Sequence, residues 1–341
     1  MMLSGRMFSK FHVGQVCFVL LLSCANLQAQ FVIDTKQWIE QMDMKGGFPD
    51  KLLSTRTAVF YDYTLTEKEL KDSQEYFQRT GIDGVVYFEA DMLTAGKDVA
   101  RAFGDYLNKR EITNIAFIEK SESGYRISIT AFNGKESVID NSQKAWSSSN
   151  SILTEVLKDM YRTVSSQQRK LNLLINGQAE TSLIVNPILG KRNEFFAIDA
   201  KVDPLAVPKT GNEMVDKELE EIFNANYSLK FKLTDPGMSE KEMRKQGLLY
   251  VLCVVKTRDG VAKELLGYDM SKSESALVSV TYPAAQQQLK NISSNTPIYK
   301  FYFKHIDSQN VFLGTKWDAD LTWQEALLNQ LRGMKSELRL N

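Results

Sequence analysis

Thr66-Glu67-Lys68-Glu69, an amphipathic run to Arg79, Gly81, and then Gly84-Val85-Val86-Tyr87-Phe88 form the stretch whose reading decides the fold. Thr66 and Glu69 have the spacing of a capping box, in which a hydroxyl and a carboxylate reciprocally satisfy the first free amides of a helix. The helix is expected to run to about Arg79 and to stop at Gly81, a residue that tolerates the left-handed conformation of helix ends. Val85 to Phe88 is apolar at every position, which suits a strand covered on both faces. Upstream, Leu52 to Tyr63 is rich in β-branched and aromatic residues and reads as another strand. Strand, capped helix and buried strand in succession make the unit of an α/β sheet.

Working outward, Val99, Ala102, Phe103, Tyr106 and Leu107 recur at helical spacing and predict a helix over 95–109. Asn114 to Glu119 reads as a third strand, and the turn at 121–124 leads into a fourth, Tyr125 to Phe132. A short strand is expected through Val138 after the turn at Asn133-Gly134. Ile152, Leu153, Val156, Leu157, Met160, Tyr161 and Val164 make an apolar helical stripe.

The residues read as the same plan written twice. Tyr227 to Leu233 reads as a strand, and Ser239-Glu240-Lys241-Glu242-Met243 repeats the capping box of Thr66 to Leu70, followed by Gly247 and the strand Leu248 to Lys256. Leu327, Leu331 and Met334 follow Leu153, Leu157 and Met160 at the same distance, within one residue, which suggests an ancient duplication. The second half adds Val261 to Asp269 and Leu277 to Tyr282 before a closing hairpin, Ile298 to Ile306 with Val311 to Trp317. The expected class is α/β to α+β, with two related domains, each a mixed sheet packed with amphipathic helices. The divisions are a leader at 1–29, a lead segment at 30–50, a first domain at 51–165, a linker at 166–180 and a second domain at 181–341.

The leader directs the chain out of the cytoplasm. Arg6 and Lys10 precede a mostly apolar run, Val13 to Ser23, in the polarity order of an export signal. That run is short of the roughly 20 residues a membrane-spanning helix needs. Leu27-Gln28-Ala29 presents a small residue for cleavage before Gln30, giving a periplasmic or secreted chain. Alternatively, Leu21-Leu22-Ser23-Cys24 reads as a lipobox, with the leader ending at 23 and Cys24 carrying a lipid anchor. Beyond the leader Cys253 stands alone in an apolar run, so no internal disulfide is expected.

Charge and motifs exclude several function classes. The chain carries 42 basic and 42 acidic residues, interspersed, which provides no electrostatic footprint for nucleic acid and no polybasic membrane patch. Gly96-Lys97, Gly134-Lys135 and Gly190-Lys191 lack the earlier glycine of G-x-x-x-x-G-K-[ST], so no phosphate loop is expected. No G-x-G-x-x-G follows a strand and no G-x-S-x-G elbow occurs. His305 is the one histidine beyond the leader, which removes multi-histidine metal sites; neither cofactor nor metal is expected. The richest polar cluster is Lys316 to Glu325, with Trp317, Asp318, Asp320 and Trp323. It can be read as a sugar site, or as acids capping the last helix beside two buried tryptophans. Tyr61-Asp62-Tyr63 sits where a site beyond a strand end would lie.

The order of elements in the first half resembles small α/β domains of bacterial envelope proteins, including those related to the amino-terminal domain of the Tol–Pal propeller protein. Asn26 to Gln30, Lys51 to Phe60, Ala95 to Val99 and Phe312 to Trp323 together resemble an uncharacterised exported family of the Bacteroidota. Labels attached to such proteins include NTPase and nicotinate-mononucleotide adenylyltransferase. The latter family uses a His-x-x-His-like nucleotide site after its first strand, and Leu52 to Thr66 contains no histidine. The resemblance therefore implies location and no activity. The expectation is an exported, non-catalytic interaction or assembly protein of the cell envelope, binding another envelope protein or a copy of itself. The alternative is an enzyme acting on a nucleotide or envelope glycan, with Asp318, Asp320 and His305 as its polar groups.

Overall fold

The computed structural model describes residues 34–173, 175, 177–181, 183–271, 278–283 and 286–340. The proposed cleavage site at Ala29 and Gln30, and Cys24, lie outside the described residues. No helix among the described residues is long and apolar enough to cross a membrane.

The protein is a mixed α/β molecule built on two main sheets, one of five strands and one of six. A short helix α1 (Thr35–Glu40) precedes β1 (Arg56–Tyr61), α2 (Glu67–Thr80), β2 (Asp83–Glu89), α3 (Ala90–Leu93), α4 (Lys97–Lys109), β3 (Ile112–Ser121), β4 (Gly124–Ala131), β5 (Ala145–Asn150) and α5 (Leu153–Gln167). These strands form the first sheet in the order β2-β1-β3-β4-β5. β1 is parallel to both neighbours, and β3-β4-β5 is an antiparallel meander.

The second half follows with β6 (Arg192–Asn193), β7 (Leu205–Pro208), α6 (Glu213–Asn226), β8 (Phe231–Thr234), α7 (Glu240–Lys245), β9 (Tyr250–Arg258) and α8 (Asp259–Leu265). A separate hairpin of β10 (Val278–Thr281) and β11 (Gln288–Asn291) precedes β12 (Pro297–His305), β13 (Val311–Phe312) and α9 (Trp323–Glu337). The second sheet has the order β6-β13-β12-β9-β7-β8. Here β7 is parallel to β8 and β9, while β9-β12-β13 is antiparallel, so the pattern of the first sheet is repeated with β6 added at the edge.

Thr66 and Ser239 both form full capping boxes, and Gly81 ends α2 with φ 100°. Their equivalence is nevertheless corrected by the topology. Thr66 caps α2, between β1 and β2, whereas Ser239 caps α7, between β8 and β9, whose counterpart is α4. The true counterpart of α2 is α6, capped by Asn212. The match of α5 with α9 is in register, since each follows its meander. Two further expectations are corrected. Tyr227 ends α6 instead of opening a strand, and Val138 lies in a turn with φ 65° whose carbonyl accepts from Asn133.

The core explains the layering. Phe88, Phe60 and Phe117 lie side by side across β2, β1 and β3, and Phe103 of α4 meets Phe88 edge-on at 5.0 Å. The opposite face, with Val59, Tyr87 and Ile118, is covered by α2 and α5. In the second sheet Leu205, Leu252, Phe301 and Phe303 pack with residues of α6 and α9. The Phe60 face and the Val255, Ile298 and Tyr302 face of the second sheet belong to one continuous apolar core. Burying such aromatic side chains contributes roughly 1.5–3 kcal/mol each, so this shared layer fixes how the halves sit. Polar links reinforce it: Lys304 Nζ donates to Asp98 Oδ1 at 2.5 Å and the Tyr302 hydroxyl donates to Asp98 Oδ2 at 2.9 Å.

Candidate functional site

In an open α/β sheet the loops at the carboxyl ends of the strands diverge where successive connections go to opposite sides, leaving a crevice. In the first sheet this point lies between β1 and β3. A cleft of about 690 Å³ opens there, within the usual range for small-ligand sites. Asp62 and Tyr63 follow β1, Asp91 follows β2, and Lys120 is the penultimate residue of β3; α1 lines another side, and Lys256, Thr257 and Arg258 of the second half complete the wall.

Arg258, the last residue of β9, joins the halves. Its Nε donates to Asp91 Oδ2 at 2.7 Å and Nη2 to Asp91 Oδ1 at 3.1 Å, while Nη2 also bonds Glu89. Thr257 Oγ1 donates to the same Asp91 carboxylate at 3.0 Å. Burial works against the guanidinium charge, but the bonds and fields of Asp91 and Glu89 outweigh it and raise the Arg258 pKa. A forked donor facing two carboxylates is the geometry in which Arg cannot be exchanged for Lys. The guanidinium carbon also lies 4.1 Å from the centroid of the Tyr63 ring, a cation–π contact that holds the ring in place. Tyr63 remains 43% exposed and lines the cleft. Burial raises the pKa of the neighbouring Tyr61, helped by Glu89 and opposed by Arg258.

The far wall is equally preset. Lys120 Nζ donates to both oxygens of Glu69 at 3.0 Å, and the Tyr125 hydroxyl bonds the same carboxylate. Burial alone would raise the Glu69 pKa, yet its bonds from Tyr125, Thr66 and Lys120 hold it at about 2. Arg126 grips Glu119 through Nε at 2.6 Å and Nη2 at 2.7 Å. Asp62 accepts from the amide and hydroxyl of Thr64 at 2.8 and 2.6 Å, which fixes the loop behind Tyr63. Burial lowers the pKa of Lys256, with Asp34 acting in the opposite sense.

The polar residues singled out from the sequence lie outside this cleft, and His305 lies far from the two acids, which share the Asn329 amide. Asp318 is buried and bonded by Lys300, whose Nζ also donates to Leu313 O at 2.8 Å and Gln330 Oε1 at 2.7 Å. Burial raises the Asp318 pKa against the pull of Lys300, and lowers that of Lys300 against the pull of Asp318. Asp320 is buried and receives Lys290, the Leu321 amide at 2.8 Å and Asn329 Nδ2 at 3.2 Å. Neither acid caps the last helix; the side chain of Thr322 does. Trp317 and Trp323 are buried, as read from the sequence. His305 lies at the opposite end of β12 from Tyr299, the partner of Asp320, roughly 20 Å along a strand rising about 3.3 Å per residue. Its ring meets Tyr250 edge-on and its Nδ1 lies 3.2 Å from the donating Ser308 amide.

Of the sequence candidates, the segment Tyr61-Asp62-Tyr63 is the one that reaches the cleft, through Asp62 and Tyr63. Its partners Asp91, Lys120 and Arg258 share a signal, for each stands at or just past the polar end of an apolar strand. The chain matches no protein-family model, no curated protein and no solved structure.

Proposed function

We propose that this chain is an exported, non-catalytic binding protein of the cell envelope whose recognition site is the cleft over Tyr63. The observation that carries the reading is the clamp of Arg258 by Asp91 and Glu89, which builds one wall of the cleft from both halves of the molecule. Groups fixed before a ligand arrives bind it at lower entropic cost, which is the advantage of a preformed site. The leader supports export, and the cleft supports recognition. The alternative of an enzyme using Asp318, Asp320 and His305 gains nothing from their positions.

Isolation of the wild-type chain and of Tyr63→Ala from the native envelope tests this. The wild type is expected to begin at Gln30, or at a lipidated Cys24, and to retain a companion molecule detectable by native mass spectrometry. Tyr63→Ala is expected to lose that companion at an unchanged melting temperature. Identical companions on both chains would overturn the cleft, and an intact Met1 in the cytosol would overturn export.

A further inference from the structure

We infer that the cleft recognises a neutral, polyhydroxylated ligand, a segment of glycan; this rests on the reading of the cleft as a binding site. The first ground is electrostatic. The acidic and basic residues lining the cleft are equal in number, and Arg258, Arg126 and Lys120 are each already bonded to a carboxylate. A phosphorylated ligand that engaged these three donors would have to draw them away from Asp91, Glu119 and Glu69. A neutral ligand leaves every pair intact and uses the lone pairs and N–H groups that remain.

The second ground is the chemistry of those pairs. An acid held beside a base presents an acceptor and a donor side by side. Adjacent hydroxyl groups, each both donor and acceptor, match such an array, whereas an anion matches donors alone. The end of β3 with the turn after it, and the end of β5, extend it with Ser121, Ser123, Ser149 and Asn150, neutral groups able to give or accept.

The third ground is Tyr63. One side of its ring is engaged by Arg258 at 4.1 Å while the side chain stays substantially exposed in the cleft. A rigid aromatic ring amid polar groups suits the apolar C–H face of a pyranose, which packs on it while the sugar's rim reaches the hydrogen-bonding walls. Because Arg258 belongs to β9, ring orientation depends on the second half.

The test is calorimetric titration of the full chain with four neutral tetrasaccharides, chitotetraose, cellotetraose, maltotetraose and mannotetraose, alongside AMP and tetraalanine. At least one tetrasaccharide is expected to bind wild type and Tyr63→Phe alike. Tyr63→Ala is expected to weaken it at least tenfold, with its circular dichroism unchanged. Affinity should vary less than twofold between about 0.05 and 0.5 M NaCl, since a neutral ligand has no charge to screen. Tyr63-dependent binding of AMP or tetraalanine without any tetrasaccharide would overturn the glycan and retain the cleft. Tetrasaccharide binding indifferent to Tyr63→Ala would overturn the cleft. No binding by any of the four sugars would overturn the inference.

Discussion

In the first sheet the chain passes from β1 to β2 on one side and to β3 on the other; in the second it passes from β7 to β8 and to β9 in the same way. Both sheets therefore possess a crevice at the carboxyl end of their starting strand. The first opens into the cleft at Tyr63. The second is filled by the first half, for β7 pairs with β9 only at Tyr250 and Val251, and beyond that pairing the Lys256 amide donates to Ala95 O at 2.8 Å. Gly96 lies so near this edge that a Cβ there would stand 2.5 Å from the Val254 carbonyl oxygen. One crevice thus anchors the partner half, and that docking brings Arg258 to the other. The interiors differ too: a row of phenylalanines lines the first sheet, whereas Lys300 with Asp318 is buried beside the second.

The largest effect is expected from Lys300→Met, which leaves the Asp318 carboxylate buried without its counter-charge. Breaking such a pair costs about 3–5 kcal/mol, whereas replacing both members with apolar groups is often neutral. Urea denaturation should show this loss for Lys300→Met and recovery of most of it in Lys300→Met with Asp318→Leu. An unchanged midpoint for the single variant would remove the contrast between the two interiors.

Gly96→Val attacks the filled crevice. The added carbons collide with backbone, and overpacking of this kind costs about 1–3 kcal/mol. Hydrogen exchange at the Lys256 amide should accelerate, while exchange in β1 and β3 should change little. Equal acceleration in both sheets would show that the plug is not local to the second crevice.

The smallest effect separates the two capping boxes. Glu69 also receives Lys120 and Tyr125, whereas Glu242 serves Ser239 and its own helix start. With the Glu69 pKa depressed to about 2, its stabilising contribution is complete above the ordinary value near 4.5. It is lost as pH falls through about 2, because protonation removes the favoured charge. Thermal melts across that window should therefore flatten more in Glu69→Gln than in Glu242→Gln. The reverse order would contradict the larger role of Glu69.

The fold class could be read because its signals are local. Thr66 with Glu69, and Ser239 with Glu242, announce helix starts, and Gly81 announces a stop. The same locality caused the error of register, since a capping box marks a helix and says nothing about which crossover it belongs to. β5 escaped notice because Ala-Trp-Ser-Ser-Ser-Asn is an edge strand whose later residues are partly or fully exposed, so it carries little apolar rhythm. β7 is only Leu205–Pro208, too short for periodicity to register. At the site, Tyr61-Asp62-Tyr63 could be located from its place after a strand. Arg258 could not be joined to it, because that contact depends on how two sheets dock, which no spacing along the chain encodes.

Glu180 has a consequence for handling the protein in pieces. Its backbone forms a parallel bridge with Val86, donating to Val85 O at 3.0 Å and accepting from the Tyr87 amide at 2.9 Å. Its side chain is tethered to Arg110 at 2.8 Å. The connecting segment thus shields the outer margin of β2, the kind of bare strand border that recruits other chains into aggregates. A truncation ending after α5 would strip away that cover, so an isolated first half should clump more readily during purification than a version extended past Glu180.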